Sequence, residues 1–355
     1  MNTRNGPSET NGFISVVAGF FRNNMMVAIL IVITIAASIF VPGFVKVSNL
    51  LGILRSMAIT GFISFVMTMV IISGEIDLSV GSTIGFSSVI TTWVAGNLAQ
   101  AGIMPLEYSI IIGMAASVAA CSLFGFLNGT IRTRFNVPSF IITLAMLNAL
   151  YGLSAIISKG FPITTVPAWY AVIGAGTIAG VVPVPAIWLL LAFALTYFIT
   201  EQTRFGREIY AVGGNPESSR LSGIDVKKVK IITMVMVQAM AAFAGVILSS
   251  QVRSGSSQFG RGYEMDVIAA VIIGGTSLMG GIGKTTGTFI GIVFLGILMN
   301  VMTLIGMDDY VKYFVRGLVI LLAVLINTIQ IIRAKKLKKE PPAAVKPPAA
   351  VSRRV

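Results

Sequence analysis

The sequence predicts an all-α, polytopic membrane protein with about ten transmembrane helices. Of its 355 residues, 55% are apolar and 11% are charged, whereas roughly a quarter of the residues in a typical soluble protein are charged. The mean hydropathy is +0.89. The apolar residues gather in runs of about 20, the length of helix that crosses a bilayer. A soluble globular domain is therefore excluded.

The scarcity of reactive side chains excludes several kinds of site. The chain has no histidine, and its single cysteine, Cys121, stands inside an apolar run. A disulfide framework, a cysteine metal cluster and histidine acid/base chemistry are thus excluded. We predict no catalytic, cofactor-binding or metal site, and the sequence lacks the nucleophile constellation of an intramembrane enzyme.

The formal charge of +13 raises the question of a nucleic-acid partner. The lysines and arginines fall in the predicted loops and the tail, and no basic face interleaved with aromatic residues is present. We expect no nucleic acid and interpret the cations as topology signals.

Three segments divide the chain. Residues 1–22 are predicted to be a cytoplasmic tail, 23–332 the transmembrane domain, and 333–355 a basic, Pro/Ala-rich, disordered cytoplasmic tail. Residues 1–22 lack an apolar core, so we expect no cleavable signal. The predicted spans are residues 24–43, 50–73, 78–97, 108–130, 138–157, 186–200, 229–249, 265–282, 286–305 and 311–332.

Some of these segments are unsuited to a straight apolar helix. Arg55 lies inside 50–73, and 265–282 contains Gly274, Gly275, Gly280 and Gly281. We expect neither to be a plain, straight span. Segment 161–185, with four prolines, is expected to be a long connection that carries a short interfacial helix.

The distribution of positive charge predicts the orientation. If both termini are cytoplasmic, most of the 26 lysines and arginines lie in cytoplasmic segments. Positively charged loops resist translocation. We therefore place both termini and the polar segment 201–230 in the cytoplasm.

Segment 201–230 is the longest well-charged insertion, and its centre predicts a short helix. Gly214 precedes Asn215 as N-cap, Pro216 at the first helical position and Glu217 in the first turn. Gly223 is the predicted stop. So short a helix is marginal alone and needs a partner surface. The alternative is a solvated loop with an incidental helical turn.

Two E-x-D motifs open apolar runs, at Glu75 and Asp77 and at Glu264 and Asp266. The predicted topology places them on opposite sides of the membrane, as an inverted repeat of spans 2 to 5 and 7 to 10 would. We expect these carboxylates to cap helices at the interface. Direct contact with a solute or proton is the alternative, and Ser79 and its small neighbours permit close backbone approach.

The segment Gly280-Gly281-Ile282-Gly283-Lys284-Thr285 superficially suggests a phosphate-binding loop. The motif G-x-x-x-x-G-K-[ST] requires glycine at 278, where this chain has Leu278. We therefore expect no ATP site here, and interpret the glycines as positions of close helix packing or a helix break.

Several strings in order along the chain resemble the permease subunits of ATP-binding-cassette importers for ribose and related monosaccharides. These are GEIDLSVGS (74–82), the Asn128-Gly129 pair with a proline-led span at 138, the long string from 203 to 230, the string from 262 to 288, and RGLVILLAV (316–324). Together they cover about residues 48–330.

The resemblance implies a ten-span permease of the bacterial inner membrane that is not itself an enzyme. Two copies or paralogues line one pathway, two cytoplasmic ATPase subunits bind ATP below, and a periplasmic sugar-binding protein docks above. The helix after Gly214 then corresponds to the coupling helix that docks on the ATPase. Its expected residues are Gly214, Asn215, Pro216, Glu217, Arg220, Leu221 and Gly223.

A pathway for a sugar requires neutral hydrogen-bond donors and acceptors in a wet channel. The expected polar residues, for the pathway or for structure, are Asp77, Ser79, Asn128, Glu264, Asp266, Thr276 and Ser277. The rival interpretation is an ion-coupled secondary transporter whose relay is formed by Glu75, Asp77, Glu264 and Asp266. The sequence leaves open the cargo and whether the permease pair is a homodimer or a heterodimer.

Overall fold

The structure is a computed structural model that describes residues 25–339, so the predicted tail 1–22 and residues 340–355 lie outside it. Long helices make up most of the described chain. Before the central connection they are α1 Met25–Phe40, α2 Val47–Ile72, α3 Val80–Gln100, α4 Leu106–Phe135 and α5 Ser139–Ser158. After it come α7 Val184–Tyr197, α8 Arg204–Gly214, α9 Pro216–Leu221, α10 Val226–Val252, α11 Tyr263–Ile273, α12 Thr285–Leu304 and α13 Asp309–Lys339.

The connection between α5 and α7 carries short elements. They are a 3-10 turn at Ala168–Tyr170, α6 at Ala171–Ala175, and an antiparallel hairpin of β1 Thr177–Ile178 and β2 Val182–Pro183. The expected short helix is present, and Tyr170 beside it is fully buried, with its hydroxyl 2.9 Å from the Val246 carbonyl. This connection is therefore packed onto α10.

Helix α2 lies at the centre of the core. From Met57 to Ile72 its residues are buried almost without interruption, as expected for a helix that is apolar all round. The Phe65 ring lies 5.4 Å from that of Phe193 and stacks at 6.2 Å on Phe289. The expectation that 50–73 is not a plain helix is wrong: Arg55 lies near the start of one continuous helix, 3.5 Å from the Ala175 carbonyl.

Glycines let α4 pack directly on its neighbours. A β-carbon at Gly113 would overlap the Thr91 carbonyl of α3, and one at Gly129 would lie 2.8 Å from the Ile231 Cα of α10. Small residues at helix contacts allow backbones to approach closely. Within a bilayer there is no hydrophobic driving force between helices, so such close packing is what holds them together.

Within residues 25–339, six helices are long and apolar enough to cross a membrane. They are Val47–Ile72, Leu106–Phe135, Ser139–Ser158, Val226–Val252, Thr285–Leu304 and Val184–Gln202. The last is α7 together with the π-helical turn Phe198–Gln202 that follows it. Helix α3 is not among them because serine and threonine make up much of it, and these hydroxyls are buried inside the protein. The count of about ten spans and the inverted repeat stay predictions.

The expectation that 265–282 is not a plain, straight span is confirmed, because no single helix runs its whole length. Helix α11 ends at Ile273, and at 11 residues it is too short to cross a bilayer. The chain before it, 253–262, runs along α3 without helix: Ser256 N donates to Ser88 Oγ at 3.1 Å. Irregular backbone at membrane depth is tolerated only where protein covers it.

This return along α3 also corrects the expectation for the two E-x-D motifs. A β-carbon at Gly81 would overlap the Glu264 carboxylate and lie 2.7 Å from the Gly260 carbonyl. The second motif therefore lies against the start of α3, four residues beyond Asp77. Glu264 and Asp77 therefore lie near the same end of α3 instead of at opposite surfaces, because 253–262 brings the chain back along α3 before α11 begins.

The last described helix extends past residue 333, and the predicted domain boundary there stays a prediction. Helix α13 continues to Lys339, because nothing in 333–339 interrupts a helix before Pro341.

The close packing of α4 on α3 yields a test of the fold. Replacing Gly113 with alanine is expected to lower the thermal unfolding temperature of the detergent-purified chain, because overpacking costs about 1–3 kcal/mol. The matched control is Gly152→Ala on α5, where a β-carbon meets nothing within 4 Å and helix propensity improves. Equal melting of both variants would contradict this packing.

Candidate functional site

Helix α9 has the caps that its sequence predicts. The Asn215 Oδ1 accepts from the backbone N–H of Glu217 and of Ser218, both at 3.0 Å. Pro216 occupies the first helical position, and Gly223, with φ +85°, follows the C-cap. The Arg220 Nη2 lies 2.6 Å from Glu217 Oε1, and this guanidinium lowers the pKa of the Glu217 carboxyl.

Helix α9 presents nearly all of its side chains to the outside. Leu221 is 75% exposed, and Glu217 and Arg220 are exposed as well. Ser219 is the exception: it is buried, and its hydroxyl donates to the Asn215 carbonyl at 2.8 Å. A helix of six residues cannot stand alone in water, so this one depends on its neighbours and offers a free face.

Helix α8, which supports α9, was not predicted, since its charged residues suggested a loop. Thr203 caps it by accepting from Gly206 N at 3.1 Å. Ile209 and Val212 are buried on one face while Arg207 is exposed. The alternation of charged and apolar residues at helical spacing in 204–214 was the signal that could have revealed it.

Backbone contacts join α8 to the interior. A β-carbon at Gly213 would overlap the Ile72 carbonyl at the end of α2, and the same carbonyl accepts from Gly281 N at 2.8 Å. The Tyr210 hydroxyl donates to the Gly283 carbonyl at 2.8 Å. The helix before α9 is thus fastened both to α2 and to the glycine-rich segment 274–284.

Segment 274–284 is a packed turn. Gly280 and Gly281 have φ of +81° and +73°, a backbone that L side chains rarely adopt. Thr276 and Ser277 are buried, and the Ser277 hydroxyl accepts from Met279 N at 3.2 Å. The glycines serve close backbone packing, as predicted.

Glu75 is the centre of a buried ion-pair cluster. Its carboxylate, 2% exposed, accepts from Arg132 Nε at 2.8 Å and from Lys230 Nζ at 2.5 Å. Arg132 lies in the last turn of α4, and Lys230 lies near the start of α10. Glu75 is therefore not a helix cap; it joins three elements next to α9.

Asp77 is fully buried in a hydrogen-bonded network. Its Oδ1 accepts from Ser79 N at 2.8 Å, and its Oδ2 accepts from Gln238 Nε2 at 2.8 Å. Gln238 Oε1 in turn accepts from Thr83 at 2.5 Å. Asp77 thus accepts a backbone N–H at the start of α3, as expected, but it is not the N-cap: that residue is Ser79, which makes no side-chain cap bond.

Glu264 and Asp266 lie in the first turn of α11, where carboxylates complement the helix dipole. Neither is a side-chain cap, because the N-cap is Gly262. Asp266 Oδ1 lies 2.9 Å from Arg316 Nε of α13. This acid therefore has a cationic partner inside the protein.

Asn128 is 1% exposed on α4, one turn before Arg132. Within the described part of the chain, neither its amide nitrogen nor its amide oxygen has a hydrogen-bond partner. Asn128 does not line an open surface of this single chain.

The structure therefore brings together α8, α9 and segment 274–284, with Gly74, the neighbour of Glu75, packed on Gly280. Asp77 and Asn128 lie close to the Glu75 cluster along the chain, whereas Asp266 is paired with Arg316 of α13. Sequence reasoning missed the partners of Glu75 because Arg132 and Lys230 were interpreted as topology signals. Across the described residues, no group of three or more Cys, Asp or Glu side chains is placed to hold a metal ion.

Comparison with known proteins gives consistent matches. The family model described as "Branched-chain amino acid transport system / permease component" matches residues 49–324. The ribose import permease protein RbsC of Bacillus subtilis is 39% identical over 300 residues, covering 84% of this chain and 90% of that protein. Its Escherichia coli K12 namesake is 35% identical over 318 residues, covering 87% and 94%.

An L-arabinose permease is also similar. The L-arabinose ABC transporter permease protein AraH of Azospirillum brasilense is 33% identical over 302 residues, which cover 85% of this chain and 86% of that protein. No solved structure gives a significant match.

The Glu75 cluster yields a second test. Glu75→Gln leaves Lys230 and Arg132 without a carboxylate in a buried place, and breaking such a pair costs about 3–5 kcal/mol. We expect a clearly lower melting temperature for the detergent-purified variant. Glu107→Gln, at an exposed carboxylate on α4, the helix that carries Arg132, is the control and should melt as the wild type does. Unchanged melting of Glu75→Gln would refute a stabilising cluster.

Proposed function

Because the chain belongs to the family of branched-chain amino acid transport system permease components, we propose that it is the membrane-spanning permease of an ATP-driven sugar importer. The family description names amino acids, whereas the relatives at 33–39% identity are named for ribose and L-arabinose. The relatives match over most of their length, so they favour a monosaccharide as cargo.

The observation that carries this proposal is the exposed, capped helix α9 fastened to the protein interior. Its free face, with Leu221 at the tip, suits docking on a separate protein. The chain has no phosphate-binding motif of its own, since Leu278 stands where the motif needs glycine. A motor on another subunit is therefore required, and α9 is the part that meets it.

Force applied to α9 has two rigid routes inward. One runs through Gly213 to the end of α2 and, by the Ile72 carbonyl, to Gly281 of segment 274–284. The other runs through the start of α10, where Lys230 holds Glu75. Both routes end on non-helical segments between helices, which are the parts of such a fold that change conformation with least disruption.

The proposed assembly contains two permeases, identical or paralogous, around one pathway. Two cytoplasmic ATPase subunits bind ATP and dock on α9, and a periplasmic sugar-binding protein delivers the solute on the opposite side. The permease lies in the bacterial inner membrane with both termini cytoplasmic, which the positive charge of 201–230 supports. It performs no catalysis.

An ion-coupled mechanism is not favoured, because three of the four carboxylates invoked for a relay have partners. Glu75 holds Arg132 and Lys230, Asp77 holds Ser79 and Gln238, and Asp266 lies beside Arg316. Uptake into sealed vesicles separates the two mechanisms. We expect uptake only with the ATPase subunits and ATP; uptake sustained by an ion gradient without them would contradict the proposal.

Substitutions on α9 test its docking role. Arg220→Glu and Leu221→Asp change exposed side chains, so we expect normal insertion and an unchanged melting temperature. Loss of an interface anchor costs about 2 kcal/mol or more, so ATPase association is expected to weaken by roughly tenfold or more. Co-purification of the ATPase subunit and ATP-dependent uptake measure the effect.

The control for these variants is Glu107→Arg, another charge reversal at an exposed residue but at the opposite end of α4 from the Glu75 cluster. This variant should retain ATPase association and uptake. Full association and uptake by both α9 variants would count against the docking role.

A further inference from the structure

A cavity of about 180 Å³ lies between α2, α11, α12 and α13, away from α9. Its polar wall is formed by Ser56 and Thr60 of α2, Tyr263 and Asp266 of α11, and Arg316 of α13. The rest of its wall is apolar and includes Met57, Ile292 and Leu295. None of the residues proposed to couple the chain to an ATPase lines this cavity.

The two charges of the ion pair in the cavity wall neutralise each other, but in the described part of the chain the two facing atoms are not hydrogen-bonded. Asp266 Oδ1 lies 2.9 Å from Arg316 Nε, and the two side chains are 14% and 18% exposed. Neither of these two atoms forms a hydrogen bond of good geometry to any described residue. The guanidinium also touches the Met299 sulfur at 3.9 Å and lies 5.4 Å from the centre of the Tyr313 ring. These two atoms face each other and are shielded from solvent, so a ligand in the cavity meets the other polar atoms of the two side chains, which line the wall.

The chemistry of the wall selects a neutral ligand rich in hydroxyl groups. A carboxylate beside a guanidinium has no net charge, so an ionic ligand would be left without a counter-ion in the cavity. Asp266 accepts from hydroxyls and Arg316 donates to oxygens. The hydroxyls of Ser56 and Thr60 donate to Ile53 and Met57 carbonyls at 2.9 and 3.3 Å, which leaves their lone pairs available to accept.

The size of the cavity fits a single sugar ring. An apolar protein cavity of about 150 Å³ accommodates benzene, and this one is slightly larger and partly open. The apolar side chains opposite the ion pair provide a surface for the C–H face of a ring, the combination of apolar wall and few polar groups that small-molecule sites use.

We propose that this cavity binds a neutral, polyhydroxylated solute of about the size of a pentose, within a single permease chain. The site rests on the proposed function, since it takes the transported class of molecule. It adds to that function a second place for the solute, inside one chain as well as between two.

Protection from alkylation tests the site directly. Cys121 is the only cysteine of the chain and is buried, so Cys121→Ser provides a cysteine-free background. Thr60→Cys then places a thiol at the cavity wall, and Ser38→Cys places one on the exposed face of α1 as the control. The labelling rate with N-ethylmaleimide is measured on the detergent-purified chain, with and without millimolar D-ribose or L-arabinose.

We expect either sugar, at about ten times its Kd, to slow labelling of Thr60→Cys by about tenfold, because protection grows as 1 + [L]/Kd, and to leave Ser38→Cys unchanged. Equal labelling of Thr60→Cys with and without both sugars would mean a cavity filled by water only and would overturn the proposal.

A second variant shows whether the ion pair recognises the sugar. Asp266→Leu with Arg316→Met, in the Thr60→Cys chain, keeps the cavity neutral and should fold, because apolar replacement of a buried ion pair is often tolerated. Protection should be lost while labelling persists. The control is Asp309→Leu with Lys312→Met, an ion pair at the start of α13 that does not line the cavity, where protection should remain. Protection retained without Asp266 and Arg316 would contradict their role.

The sugar site in the cavity and the proposed importer function are tested by different measurements. Uptake of both sugars by the wild-type chain with its ATPase and binding protein is measured in parallel. Uptake without protection overturns the cavity site and leaves the importer function standing. Protection without ATP-dependent uptake supports the site as a sugar site and overturns the importer function.

Discussion

The backbone contact between the end of α2 and segment 274–284 is the interaction on which the rest of the arrangement depends. The Ile72 carbonyl accepts from Gly281 N at 2.8 Å, and Gly213 of α8 packs against the same carbonyl without room for a β-carbon. Backbone polar groups away from water must find partners in the protein. The Ile72 carbonyl therefore holds the end of α2, helix α8 and segment 274–284 together. Helix α9 directly follows α8, so its position depends on this contact.

Around that contact, the chain alternates rigid helices with non-helical segments. Residues 253–262 lie along α3, and segment 274–284 lies against the C-terminal end of α2. Each is held by hydrogen bonds to that helix. From Met57 to Ile72, helix α2 is buried on nearly every side, so this part cannot move without its neighbours. The interrupted segments have fewer such constraints, so they are the natural place for the rearrangement that a transport cycle requires.

The features that depend only on residues close together in the sequence could be predicted from it. The caps of α9 are an example, because Asn215, Pro216 and Gly223 act within one or two turns. The partners of Glu75 could not be predicted, because Arg132 and Lys230 lie 57 and 155 residues away. Hydropathy located α3 but could not reveal that its hydroxyls face protein, and it could not show that the chain returns along α3 before α11.

The proposed role of α9 is tested most directly by its accessibility in oriented membranes. Leu221→Cys in the Cys121→Ser chain, exposed at the tip of α9, is treated with a membrane-impermeant maleimide in inside-out and right-side-out vesicles. A cytoplasmic docking helix should be labelled only in inside-out vesicles, and added ATPase subunit should block the labelling. Labelling in right-side-out vesicles, or labelling that the ATPase subunit leaves unchanged, would contradict the proposed role.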